Sequence, residues 1–405
     1  MYLVEKHIIN RNHSFYDECD NLCFQSKNIY NQGLYNVRQY FFQSEGYLNY
    51  NSNYHTTKEQ ECYNYLPAKV FCQTLKIVDQ NFKSFFALLK KKKEGKYTEK
   101  VKIPSYLDKE KGRFVVVYPK QSIELREFKK TGKIHLSKSN IYLTTKVKNF
   151  NQLNNVRIVP KNLHYVIEVV YTVKEKEFKD TGIVSSIDLG MNNLASITFN
   201  DGSNPLIING RPLKSMNQYY NKKKSKLQSR LKDRYTSNKI QKLTNKRNNK
   251  VNDYLHKSTH FLVNQLVSKN VSVLIVGKNT SMKQDINMGK KNNQNFVQLS
   301  IFKFVDMLKY KAELQGIQVI FQEESYTSKV SFIDNDYIPV YGVDDDKFNP
   351  SGKRIKRGLY ITKEGKKINA DINGSYNIMR KVFPNAIYHG IEGLGVNPLL
   401  VNIKR

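Results

Sequence analysis

Two aspartates stand out by their surroundings. Asp188 closes the β-branched run Ile183-Val184-Ser185-Ser186-Ile187-Asp188-Leu189-Gly190. Asp371 lies in Ile368-Asn369-Ala370-Asp371-Ile372-Asn373-Gly374-Ser375-Tyr376-Asn377-Ile378. The first pattern predicts a buried strand that delivers its carboxylate to a sheet edge, with Gly190 letting backbone or substrate come close. The second predicts an Asp just ahead of a helix. Two such carboxylates, if they meet in space, can hold divalent metal ions against a phosphate. Taken singly, either Asp reads as a helix cap or a turn residue.

The elements that must position them belong to a strongly basic chain. Its 405 residues are enough for two or three domains with sizeable cores. Lys plus Arg number 67 against 35 Asp plus Glu, a formal net charge of +32 spread over the whole length, which predicts a polyanionic partner. No apolar run approaches ~18 residues, which excludes a bilayer-spanning helix. Met1 to Lys6 lacks a signal-peptide core, so the expected compartment is the cytoplasm. There are 27 Tyr and 21 Phe but no Trp. Many of the tyrosines alternate with Lys and Asn, which suits base stacking on single strands or RNA; most Phe and about half of the Tyr are expected in cores. Cys19, Cys23, Cys62 and Cys72 read as reduced structural thiols. A zinc site on all four is the alternative; Cys62 and Cys72 are too far apart to form a tight ligand pair.

Along the chain, Met1 to Asn10 alternates as a strand, and residues 15–93 are helical. The Lys90 to Lys93 run reads as a solvated helix end or as a phosphate contact. Short strands are expected at 113–119, 122–125, 141–145, 156–160 and 165–171, forming a small β-barrel or twisted sheet into which the helical block is inserted. After Thr181 come a β-hairpin, a basic helical pair over Tyr219 to Lys269, a buried strand at 271–277, a helix at 302–314 and a strand at 317–321. That order suits an RNase H-like sheet.

From Thr181 to Lys381 the chain resembles TnpB, the transposon-associated RNA-guided nuclease related to type V CRISPR effectors. The matching residues are Ile187-Asp188-Leu189-Gly190, Tyr254-Leu255-His256-Lys257-Ser258, Leu308 to Glu313, Gly316, Tyr326-Thr327-Ser328 and Ala370 to Ile378. Together and in this order they are specific; any one alone is weak. The resemblance implies an α/β multidomain chain of a prokaryote. Residues 1–10 and 96–180 would form a β-barrel wedge domain, and 11–95 a helical recognition domain. Residues 181–405 would form an RNase H-like RuvC nuclease domain, with 325–370 replacing the family's zinc ribbon. It further implies an RNA-guided endonuclease, monomer or dimer, that takes a guide RNA and cuts double-stranded target DNA beside a short flanking motif.

Two departures bear on that expectation. The family's middle glutamate falls where this chain has Gly277. The next strand ends in Gln322-Glu323-Glu324-Ser325, and neighbouring strands lie about 4.8 Å apart, within reach of a Glu side chain. Successive side chains point to opposite faces, so one of the two can reach the site, and Glu324 is favoured over Glu323. The segment 325–371 has neither Cys nor His, so no zinc is expected there, and packing around Phe332 and Ile333 is expected to replace it.

The mechanism so implied is phosphodiester hydrolysis with two Mg2+ on Asp188, Asp371 and Glu324 or Glu323. Guide pairing would read the sequence, and the protein the heteroduplex backbone. Basic residues along 66–93 and 219–250 would line that channel, among them Lys90, Lys91, Lys92, Lys93, Lys222, Lys223, Lys224, Arg230, Lys246 and Arg247. Arg354 and Arg357 would reach nucleic acid from a basic hairpin. His256 reads as a packed helix histidine rather than a catalytic one. The competing readings are a nuclease-dead RNA-guided repressor, a compact type V effector and a DNA-strand transferase.

Overall fold

A computed structural model describes residues 1–44, 46–231, 235–278, 300–356, 358–385 and 398–403. The chain divides into two units, Met1–Val173 and Lys174–Arg405.

In the first unit, β1 (Tyr2–Ile9) is followed by α1 (Tyr16–Ser44), α2 (Tyr50–Lys58) and α3 (Ala68–Lys93). Then come β2 (Val116–Pro119), α4 (Leu125–Thr131), β3 (Lys133–His135), β4 (Tyr142–Thr144), β5 (Leu153–Lys161) and β6 (His164–Thr172). The antiparallel sheet runs β1-β6-β5-β2, so the three helices fall in sequence between two strands of one sheet. Apolar residues of α3 recur at helical spacing, and Val70, Phe71, Leu75, Val78 and Phe82 are buried. Phe71 and Leu75 pack with Cys19 and Cys23 of α1 and with Val116, Ile158 and Ile167 of the sheet. Of the two expected arrangements, a barrel or a sheet, the described residues form an open four-stranded sheet with a separate β3–β4 pair. The sheet has no need to close on itself, because the helices supply its core. The strand expected at 122–125 is absent as well. Ile123 makes a single bridge to Leu136, and Leu125 opens α4, which ends at Gly132 in the left-handed conformation that glycine tolerates best.

Three cysteines, Cys19, Cys23 and Cys62, lie inside that apolar core. Burial pushes the Cys19 thiol up to about 12 and Cys62 up to about 11, which suits inert packing thiols.

The second unit carries β7 (Val184–Leu189), β8 (Asn193–Phe199), β9 (Leu206–Asn209), α5 (Arg211–Gln228) and α6 (Asn238–Ser268). β10 (Val273–Gly277), α7 (Ile301–Leu314) and β11 (Gln318–Gln322) follow. A three-stranded antiparallel sheet, β12 (Lys353–Lys356), β13 (Leu359–Ile361) and β14 (Lys367–Asn369), then leads into α8 (Ala370–Val382), and β15 is Leu399–Val401. The main sheet is mixed, in the order β11-β10-β7-β8-β9-β15, with β7, β10 and β11 mutually parallel. Both faces are covered, which accounts for the uninterrupted burial of β10. Ile187, Leu274 and Val276 face α6 and α7, where Leu255, Leu262, Phe304 and Leu308 pack. Val184, Val273 and Ile275 face α8 at Ile378 and Met379. The basic helical pair starts earlier than its charge suggested, at Arg211, with Pro212 in the first turn where proline fits.

Candidate catalytic carboxylate site

Strand parity decides which side chains reach the α8 face. On β7, Val184 packs toward α8, so Ser186 and Asp188 point the same way. On β10 the same face carries Val273, Ile275 and Gly277; on β11 it carries Ile320, and the alternation continues through Gln322 to Glu324. Three strand ends thus aim positions 188, 277 and 324 at the α8 side of the sheet, 188 beside Gly374 and 277 beside Ile378.

Burial, together with the negative charges of Glu324 and Asp371, pushes the Asp188 carboxyl well above the usual carboxylate range, against the opposing pull of Arg354. Glu324 occupies the space above Gly277: a β-carbon there would lie 2.7 Å from Glu324 Oε2 and 2.6 Å from Ile378 Cδ1. Burial, and then the charge of Glu323, push Glu324 up to about 7 in spite of Lys381. Glu323 turns elsewhere. It accepts from Lys381 Nζ at 2.9 Å and from the Ser325 amide at 2.6 Å. Burial alone would raise its carboxyl, but these hydrogen bonds outweigh it and hold the carboxyl low.

Asp371 is the second residue of α8, where the helix N-terminus favours a carboxylate. The Asn369 side chain caps that turn, accepting from the amides of Asp371 and Ile372. Asn193 Nδ2 donates to Asp371 Oδ2 at 2.7 Å, and Arg354 pairs with Oδ1 at 3.1 Å. Arg354 is brought there by register, since it stands opposite the buried Tyr360 in the β12–β13 pair. A cavity of about 440 Å³ opens beside Asp371 and is lined by Gly190, Asn193, Arg211 and Arg354. Two guanidinium groups at its wall suit an anionic oxygen.

α8 is fastened to the sheet by polar groups that need no solvent. Ser186 Oγ donates to the Ser375 carbonyl at 2.7 Å, Ser375 Oγ to the Ser186 carbonyl at 3.0 Å, and Thr198 Oγ1 joins both hydroxyls. Gly374 permits this approach: a β-carbon on it would lie 2.9 Å from Asp188 Oδ2. On the other side of the helix, Asn373 and Asn377 hold the backbone of residues 327–332. Phe332 stacks on Tyr376 at 4.4 Å and, with Tyr360, Ile368 and Ile372, forms an apolar cluster that anchors the 325–370 segment. The acidic run Asp344-Asp345-Asp346 is engaged locally: Asp344 accepts from the Val340 amide and the Tyr337 hydroxyl, and Asp345 from the Tyr326 hydroxyl.

Other expected residues are scattered. Lys90 to Lys93 form the last turn of α3, in the first unit. Lys222, Lys223, Arg230 and Lys246 are exposed on or beside α5 and α6, while Lys224 and Arg247 are half-buried. Arg354, expected at nucleic acid, pairs with Asp371 at the site, and Arg357 lies outside the described residues. His256, expected to be packed, is exposed on α6, because it falls outside the stripe formed by Tyr254, Leu255, Ser258 and Thr259. Asn193, Thr198 and Arg211 had no assigned role. Only Asn193, next to the Asp188-Leu189-Gly190 turn, carried a positional signal for it.

The OrfB_IS605 family, described as probable transposase, matches residues 166–283, and the Cas12f1-like TNB domain matches residues 302–378. No curated protein matches the chain. Among solved structures, a Cas12f1–sgRNA–target DNA complex aligns with a TM-score of 0.51 at 16% identity, covering 90% of this chain and 82% of that one. The mini-RNA-guided endonuclease CRISPR-Cas_phi3 aligns with a TM-score of 0.47 at 9% identity, over 94% and 92%. Alicyclobacillus acidoterrestris C2c1 with single-guide RNA aligns with a TM-score of 0.44 at 8% identity, over 92% and 68%. The two matched regions, which between them contain Asp188, Gly277, Glu324 and Asp371, make this chain similar to the OrfB_IS605 probable transposases over the first and to the Cas12f1-like TNB domain over the second.

Proposed function

We propose that the chain is an RNA-guided DNA endonuclease that hydrolyses phosphodiester bonds of target DNA beside a short flanking motif, with divalent cations at Asp188, Glu324 and Asp371. The observation that carries this reading is that Asp188 at a strand end feels both Glu324 and Asp371 of α8, with Glu324 in the space that Gly277 leaves open. The matched families, and solved neighbours described as complexes with guide RNA and target DNA, support the polyanionic partners that the net charge of +32 calls for. In this reading the first unit serves as wedge and recognition domains, the second as the RuvC-like nuclease.

The donor set fits hard divalent cations. It consists of carboxylate oxygens; burial and then the charges of Glu324 and Asp371 raise the Asp188 carboxyl, and a bound cation would offset that repulsion. Among the described residues no three His, Cys, Asp or Glu side chains already stand at ligating distance. Arg354 holds Asp371 instead, so cation binding requires that ion pair to open. Mg2+ bound there would activate a water and stabilise the leaving 3′ oxygen. Asn193 and the helix N-terminus keep the Asp371 carboxylate oriented, and the Ser186–Thr198–Ser375 network keeps Asp188 in register with α8. Once displaced, Arg354 stands with Arg211 at the same cavity, where both can hold the substrate phosphate.

The test is plasmid-library cleavage by protein purified with its bound RNA, with Mg2+ or EDTA, and with or without RNase treatment. Cutting that needs both Mg2+ and RNA supports the proposal. Guided binding without cutting would make the chain a targeting protein whose nuclease was lost with the carboxylate at position 277.

A further inference from the structure

The cavity between α5 and α6 plays no part in the carboxylate site. It encloses about 460 Å³ and combines apolar and aromatic walls, Met216, Tyr219, Tyr220 and Leu243, with the cations Lys246 and Arg247. Its two rim tyrosines differ in freedom. Tyr220 is fixed, its hydroxyl bonded to Thr244 at 3.0 Å and the Arg247 guanidinium 5.5 Å from its ring. Arg247 is itself held by Asn217 at 2.8 Å. Tyr219, by contrast, is 61% exposed, with Lys223 Nζ 5.8 Å from its ring.

The charge around this cavity is one-sided. Residues 211–250 contain 14 Lys and Arg and a single acidic residue, Asp233. Asp253, at the cavity's far end, is paired with Lys257 at 2.9 Å. An apolar, aromatic recess framed by cations complements a planar ring attached to phosphates. A base in a duplex is paired and stacked and presents no free face, so the fitting ligand is unpaired.

We propose that this cavity takes one unpaired base of a nucleic-acid strand, stacked on Tyr219, with the flanking phosphates on Lys223 and Lys246. This rests on the reading of the chain as a nucleic-acid-binding protein. RNA and DNA offer the same chemistry here, and the test separates them.

Full-length protein stripped of RNA by high salt is titrated, in EDTA, with oligo(U), oligo(dT) and an abasic deoxyribose-phosphate strand of equal length. Tyr219→Ala is expected to weaken binding of a base-bearing strand about tenfold, to leave its salt dependence unchanged and to leave abasic binding unaltered. Tyr219→Phe is expected to stay within about twofold of wild type, because the stacking face remains. Lys223→Gln with Lys246→Gln is expected to weaken all three strands and flatten their salt dependence. The larger loss, on oligo(U) or on oligo(dT), identifies the strand that uses the cavity. Unchanged binding by Tyr219→Ala, or an equal loss on the abasic strand, overturns the base pocket alone. Wild type binding none of the strands overturns the nucleic-acid reading itself.

Discussion

Glu324 and Gly277 are sterically complementary: the carboxylate of one fills the volume that a β-carbon on the other would take, at 2.7 Å. The glycine is therefore more than a missing glutamate. It is the vacancy through which a carboxylate from the neighbouring strand enters. Gly277→Ala should displace Glu324 and press on Ile378, costing about 1–3 kcal/mol of stability, as overpacked cores do. Cleavage should fall at least about tenfold, the equivalent of ~1.4 kcal/mol in the barrier. Moving the carboxylate, with Gly277→Glu and Glu324→Gly combined, should recover much of the lost cleavage. A double variant as inactive as Glu324→Gly alone would show that the two positions are not interchangeable.

Asp188 bears the electrostatic cost of the site. Its carboxyl is raised by burial and by the charges of Glu324 and Asp371, so the cation-free fold is destabilised whenever Asp188 ionises. Asp188→Asn should raise the melting temperature of the protein in EDTA near neutral pH, because it removes a buried carboxyl whose ionisation the fold disfavours. The same change should abolish cleavage. Thermal melts in EDTA check the first half; a melting temperature lower than that of wild type would contradict it.

Arg354 pairs with Asp371 at 3.1 Å, and on the proposed reading it would compete with a cation there. Arg354→Gln should lower the Mg2+ concentration needed for half of the metal-induced thermal shift, by roughly threefold for a pair worth ~0.6 kcal/mol. The shift is read without substrate, which keeps binding separate from any role of Arg354 on the phosphate. A higher Mg2+ requirement would mean that Arg354 assists the cation rather than excluding it.

In the first unit, Asp79 of α3 ties α2 and the loop before it to the helical block. It accepts from the Tyr50 amide at 3.1 Å and from the Tyr47 hydroxyl, and pairs with Lys83 at 2.8 Å. Burial alone would raise its carboxyl, but Lys83 and Tyr47 outweigh it and hold the folded-state value low. A depressed carboxylate contributes stability above its unfolded pKa of ~3.9 and loses it as pH falls through the folded value. Asp79→Asn should therefore cost about 1–3 kcal/mol at pH 7, with the gap to wild type closing below about pH 4. Urea midpoints across that range give the comparison; a gap of constant size would point to lost packing instead of lost charge.

Legibility in the sequence followed the range of the interactions. Asp188 and Asp371 could be read because a β-branched run and a helix start are local signals, and the structure brings both to the α8 end of the sheet. Choosing between Glu323 and Glu324 needed the register of β11, which Ile320 sets by packing against α8. Asn193 and Arg354 reach Asp371 across 178 and 17 positions, and no periodic pattern announces such partners. The choice between a barrel and an open sheet in the first unit was not legible because its core comes from α1 and α3, and strand patterns alone do not say what covers them. Residues 122–125 alternate like a strand, but the helix that begins at Leu125 is closed by the Gly132 amide bonding back to Phe128. Over four residues, the local alternation loses to that capped turn.

The most direct test of the central claim compares Glu323→Gln with Glu324→Gln in Mg2+-dependent, RNA-dependent cleavage of target plasmid. Both changes keep side-chain size, and only Glu324 shares the buried space with Asp188. The account predicts that Glu324→Gln loses cleavage by about 100-fold or more, while Glu323→Gln, which weakens the contacts to Lys381 and the Ser325 amide, stays within about threefold of wild type. Equal activity in the two variants, or loss confined to Glu323→Gln, would contradict it.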